Sequence, residues 1–175
     1  MTIPTGLCGW ILVDEETLVV NPTNGPASIV KNVKDAIWYW ESKLGFDTKL
    51  VGEVVQVDSN LQKGYDTKNS VTFARLAPGI LGTCKTYTAL STPIIIEGKP
   101  FYRIREFEIV LSTAVKWNTA TGYSAFWVMV HELGHALGLI EQPTLRASKS
   151  IMTRYSGTRE IGQIDIDRLR WLYRP

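Results

Sequence analysis

Apolar and polar positions run in blocks along this chain, and the blocks change period. Residues 11–20 are apolar with strand-like content and run into the turn cluster Asn21-Pro22-Thr23-Asn24-Gly25-Pro26. Beyond it the period lengthens. Ile29, Val33, Ile37, Trp40 and Leu44 recur at helical spacing, with Ser28 placed as an N-cap and Gly45 as the stop. Strand candidates follow at residues 49–57, 70–75 and 83–90. Another, 102–112, alternates well after the turn cluster Gly98-Lys99-Pro100. Ile104, Glu106, Glu108 and Val110 take one side, and Arg105, Phe107, Ile109 and Leu111 the other. Ser124 opens a second helix, from 125 to about 137, which is apolar on nearly every side (Phe126, Trp127, Val128, Met129, Val130) and therefore expected to be buried. A loop leads to about residue 161. The last helix starts near Gln163, with Asp165 and Asp167 in its early turns, where the helix dipole favours carboxylates, and with Ile166, Leu169 and Leu172 as its apolar stripe. The order is strand, helix, several strands, buried helix, loop, helix. That is an α+β arrangement around one mixed sheet.

The chain has 175 residues, 45% of them hydrophobic, which suits one ordinary domain with a real core. A net charge of +2 gives no argument for nucleic acid or anionic lipid as a partner. No apolar run approaches the length of a membrane span. Residues 1–10 lack the basic and apolar regions of a signal peptide. There is no internal repeat and no low-complexity linker. Cys8 and Cys84 permit one disulfide, and two independent thiols are the equal alternative.

The chemistry concentrates in His131-Glu132-Leu133-Gly134-His135-Ala136-Leu137-Gly138-Leu139-Ile140-Glu141, which holds both histidines of the protein. Histidines four residues apart on a helix lie one turn apart on one face, and two imidazoles so placed can grip one cation, usually Zn2+. Glu132 suits a general base for water at that metal. Gly138 can end the helix in a left-handed turn, which brings Glu141 back as the third ligand. Glu160 is a rival third ligand, drawn from farther along the chain. A histidine on an apolar helix is ordinarily a satisfied core residue. The predicted helix, Glu132, Gly138 and a downstream methionine together weigh for metal. The chemistry expected is metal-assisted amide hydrolysis, with Glu132 returning the proton to the leaving amine.

With Gly138 and Glu141 included, this stretch resembles the metzincin signature, and Ser150-Ile151-Met152 resembles the methionine turn that lies under the metal in those enzymes. The wording of residues 131–139 is most similar to the matrixin (matrix metalloproteinase-type) catalytic domain. The segments around Ala36-Ile37-Trp40, residues 71–75, residues 82–84 and residues 163–173 resemble its first helix, third strand, substrate-flanking edge strand and closing helix. The resemblance implies a twisted, mixed five-stranded sheet with two long helices. It implies one catalytic domain over residues 1–175, with 1–141 as an upper part and 142–175 as a lower part ending in a helix. It further implies one catalytic zinc on His131, His135 and Glu141, and Met152 as an apolar floor rather than a ligand. The activity implied is that of a secreted, monomeric zinc endopeptidase. A protein or peptide substrate would lie extended against the edge strand near residues 83–87.

The chain departs from the family pattern in several places. The family has histidine, or in a minority aspartate, where Glu141 stands. With no further histidine, the family's histidine-bound structural zinc cannot form in its usual way, and no dense Asp/Gly loop marks a calcium site. Tyr155 follows Met152 by three residues, where some metzincins hold the oxyanion with a tyrosine two residues on; core packing is its alternative role. Cys8-Gly9 matches only the Cys-Gly pair of the matrixin prosegment that caps the metal. Trp38, Tyr39 and Trp40 read as helix packing with an exposed aromatic edge, and Arg168 and Arg170 as a solvated face. A module that keeps the metal but has lost turnover is the alternative from another functional class.

Overall fold

The computed structural model describes residues 17–48, 53–57, 65–88, 93–96, 99–142, 150–153 and 160–173. Strand β1 (Thr17–Val20) leads into helix α1 (Ile29–Leu44), then β2 (Glu53–Gln56), β3 (Asn69–Ala74), β4 (Gly82–Thr88), β5 (Ile94–Ile96), β6 (Lys99–Phe101) and β7 (Ile104–Ser112). Helices α2 (Ala125–Ala136) and α3 (Gln163–Leu172) complete the order. Five strands form one mixed sheet in the order β2-β1-β3-β7-β4. Its pairs are parallel except β4 with β7, so β4 is an antiparallel edge strand. The α+β expectation holds, and so does the edge position of the strand near residues 83–87.

Helix α1 follows its periodicity. Ile29, Val33, Ala36, Trp40 and Leu44 are buried, and Gly45 ends the helix at φ 79° with its N–H on the carbonyl of Glu41. Ser28 caps differently from expectation. Its side chain makes no bond to the helix backbone, and its hydroxyl instead donates to Asn32 Oδ1 at 3.0 Å. Trp40 fills the space between α1 and α2 and donates its indole N–H to the carbonyl of Val130 at 2.8 Å. Trp38 is exposed, while Tyr39 meets Phe126 and Trp127 edge to face.

On β7, Phe107, Ile109 and Leu111 enter the core as their alternation requires. Glu106, on the opposite side, is also fully buried. Its carboxylate accepts the backbone N–H groups of Asp66 (2.9 Å) and Thr67 (2.5 Å), where Thr67 takes φ 68°. Lys99 and Pro100, expected in a turn, instead belong to β6, which pairs with β5 in a separate two-stranded sheet. Proline is tolerated in such a ribbon because an edge strand has N–H groups that need no ladder partner.

Helix α3 is tied to both other helices. Arg170 does not simply face solvent. Its guanidinium donates to the carbonyl of Leu44 at 2.9 and 3.1 Å and so caps the end of α1. Tyr173 donates its hydroxyl to the carbonyl of Leu137 at 2.9 Å, at the end of α2. Among the described residues no helix is long and apolar enough to cross a membrane.

Candidate metal centre

Ser124 starts α2 as expected, its hydroxyl accepting from the N–H of Trp127 at 3.4 Å. Met129, Val130, Leu133 and Ala136 bury one side of the helix, which leaves His131 and His135 half-buried on another. The two rings lie one turn apart, their centroids separated by 5.0 Å. The helix stops at Gly138, which adopts φ 98°. Its N–H and that of Leu139 bond back to the carbonyls of His135 and Gly134, both at 2.9 Å. Only glycine takes that backbone angle at little cost. The turn returns the chain past the histidines, so that Glu141 Oε1 comes within 3.4 Å of His131 Nε2 and 3.8 Å of His135 Nε2. Each of the three residues offers one ligand atom, and all three atoms lie within 4.8 Å of one another.

The hydrogen bonds on the far side of each ring set which nitrogen is available. His131 Nδ1 lies 2.8 Å from the carbonyl oxygen of Ile151, and His135 Nδ1 lies 2.9 Å from that of Leu139. A carbonyl oxygen can only accept, so each Nδ1 carries the hydrogen and each Nε2 presents its lone pair toward the other ring and Glu141. Burial lowers the pKa of His135, against the opposing pull of its bond to Leu139, and keeps that ring neutral. Two imidazoles and one carboxylate are a donor set that fits Zn2+.

The floor beneath the rings is built by Asp165, which lies in the first turn of α3 as expected and accepts the N–H at that helix's start. It is also fully buried, and it does more there than complement the helix dipole. Its carboxylate accepts the N–H of Ile151 (2.9 Å), the N–H of Gly162 (3.0 Å) and the hydroxyl of Ser150 (2.5 Å). The Ser150 hydroxyl oxygen also accepts the N–H of Met152 at 3.0 Å. Asp165 therefore holds the same segment whose carbonyl orients His131. Met152 is fully buried and lies against α2 at Gly134, where an added methyl group would collide with Met152 Sδ. That close approach accounts for a glycine inside a helix, where it is normally unfavourable by about 1 kcal/mol.

Glu132 lies between this cluster and the edge strand β4, near Glu141 and against Gly82, and is 4% exposed. Burial first, and the negative charge of Glu141 second, raise its pKa to about 8. Gly82 of β4 lies directly against it. Cys84, two residues along the same strand, is in no disulfide among the described residues, and its thiol pKa is pushed up by burial and then by Glu132.

The structure thus brings His131, His135, Glu141, Glu132 and Met152 together. Glu160 is exposed and is not part of the cluster of candidate ligands among the described residues. Cys8 and Tyr155 lie outside the described residues, and with them the disulfide, the cap on the metal and the oxyanion contact. The sequence reading missed Asp165, Gly82 and Gly134. For Gly134 a signal was present, since a glycine in a buried helix asks for a close neighbour. Gly82 carried a similar mark, since a glycine at the head of a strand also asks for a close neighbour; the bonds of Asp165 to residues 150–152 act across the fold and carried none.

In comparison with known proteins, the family model described as Matrixin matches residues 20–174. No curated protein matches the chain.

Proposed function

We propose, from the premise that this chain belongs to the matrixin family, that it is a zinc-dependent endopeptidase acting on extended peptide segments. Matrixins bind zinc, and the observation that carries the reading here is the convergence of His131 Nε2, His135 Nε2 and Glu141 Oε1 with Glu132 beside them. In this reading His131, His135 and Glu141 hold the metal and Met152 is the floor under them. A zinc ion bound there supplies Lewis acidity, making water easier to deprotonate and the scissile carbonyl more electrophilic.

The remaining work falls to the protein's own side chains. Glu132 takes the proton of the attacking water and passes it to the leaving amine. The substrate lies along β4, whose outer edge has no strand partner among the described residues, and adds to the sheet as a further strand. The parts 1–141 and 142–175 form the upper and lower walls of the cleft. Family habit, not a feature of this chain, supports an extracellular location and a monomer.

The test is cleavage of casein or quenched peptides by the purified, zinc-loaded protein. Expected is cleavage abolished by a chelator and restored by zinc. Glu132→Ala should lose about 100-fold or more of the rate while retaining stoichiometric zinc. Stoichiometric zinc without chelator-sensitive cleavage would leave a metal-binding module in place of an enzyme.

A further inference from the structure

Gly82 opens β4 where that strand packs over α2. A methyl group on its α-carbon would stand 2.7 Å from Glu132 Oε1, 3.1 Å from Glu132 Cδ and 3.0 Å from Val128 Cγ1. Non-bonded heavy atoms rest at about 3.5 Å or more. The backbone does not call for glycine here, because Gly82 is not among the residues with positive φ. A strand position also disfavours glycine, which packs nothing and loses entropy on folding; in strands it marks the close approach of another group. That group is the Glu132 carboxylate. Glu132 has little freedom to retreat. It is 4% exposed, and Cys84, on the same face of the strand as Gly82 by alternation, lies close enough to feel its charge.

We propose that Gly82 is a positioning residue for Glu132: the missing side chain at the head of β4 is the seat of the carboxylate, and any larger residue there displaces it. The proposal rests on the reading of Glu132 as the general base. An added methyl must push Oε1 from 2.7 Å to about 3.5 Å, a displacement of roughly 0.8 Å. Misplacement of a catalytic group by about 1 Å can lower a rate on the order of 100-fold. The atoms nearest the added methyl belong to Glu132 and Val128, not to His131, His135 or Glu141, so these three should keep their hold on zinc.

The experiment is steady-state kinetics of zinc-loaded Gly82→Ala, with zinc content measured on the same sample. Expected is a kcat lower by about 10- to 100-fold, KM within about twofold and stoichiometric zinc. Two double variants separate positioning from packing. Glu132→Asp withdraws the carboxylate by one methylene, so the Gly82→Ala penalty should shrink to less than about threefold in that background. Val128→Ala relieves only the apolar contact and should restore nothing. Three results overturn the assignment: wild-type kcat in Gly82→Ala, a Gly82→Ala penalty undiminished in the Glu132→Asp background, or rescue by Val128→Ala. If the wild-type protein holds zinc but does not cleave, the peptidase reading fails by itself. A crystal structure of Gly82→Ala then decides the geometry: a carboxylate left in its wild-type place refutes the seat.

Discussion

Replacing Asp165 with alanine would remove the carboxylate that holds residues 150–152 under the metal centre. Two backbone N–H groups, of Ile151 and Gly162, lose their acceptor in a fully buried place, and the Ser150 hydroxyl must re-aim. Each orphaned buried donor costs about 1–3 kcal/mol, so Asp165→Ala should destabilise the metal-free protein by roughly 4 kcal/mol. For a domain of this size that lowers Tm by about 8–16 °C. Asp165→Asn should cost less, about 1–2 kcal/mol, because its amide oxygen can take both N–H groups and its NH2 can face a Ser150 hydroxyl turned to accept. Either change loosens Ile151, whose carbonyl holds His131 Nδ1 at 2.8 Å. Loss of such an outer partner typically weakens metal binding by about 10- to 100-fold. Unfolding in urea with chelator present isolates the stability effect. Competition for zinc against a chromophoric chelator, at a temperature where the variant is folded, isolates the site. If stability falls but zinc affinity stays within about twofold of wild type, the link from Asp165 through Ile151 to His131 is wrong. If neither moves, the carboxylate is not holding the floor.

Glu141→Ala should lower zinc affinity by at least about 100-fold, more than loss of an outer partner does, and unchanged affinity in the same competition titration would remove Glu141 from the ligand set. Gly134→Ala gains about 1 kcal/mol of helix propensity but drives the new methyl into Met152 Sδ. Overpacking of that kind costs about 1–3 kcal/mol, so urea unfolding should show a net loss, and the increment from Gly134→Ala should shrink or reverse when measured in a Met152→Ala background; a more stable Gly134→Ala would contradict the packing. In the metal-free protein Glu132 keeps its proton up to about pH 8, whereas its unfolded value is 4.5. The folded state then binds more protons at Glu132 than the unfolded state in that window, so the contribution of Glu132 to stability is fully present below pH 4.5 and is lost as pH rises toward 8. Thermal melts in chelator should show this slope, and Glu132→Gln should flatten it; parallel slopes for the two proteins would exclude Glu132 as its source.

How much of this was legible in the sequence follows the range of the interactions. Both long helices, the β7 alternation and the His131/His135/Glu141 grouping depend on neighbours a few residues away, and spacing encodes those directly. The turn at Gly138 was readable for the same reason. What stayed hidden acts across the chain: Gly82 against Glu132, Glu106 against Asp66 and Thr67, Asp165 against Ile151, and Arg170 against Leu44. Asp165 in particular looked like an ordinary dipole-compensating carboxylate, because a residue's type at a helix start does not reveal what loop will be packed on it. Pro100 misled for a related reason. Proline marks turns locally, and only the partner strand β5 shows that it sits in a ribbon instead.

The two rings of the centre are secured at different contour distances. His135 is braced by Leu139, four residues away, whereas His131 is braced by Ile151, twenty residues away. One half of the grip can therefore assemble as soon as a single helical turn and its bend have formed. The other half waits until the closing segment of the chain has docked. Competence for metal thus reports completion of the whole fold, and a polypeptide ending soon after the bend would own both histidines yet aim only one of them.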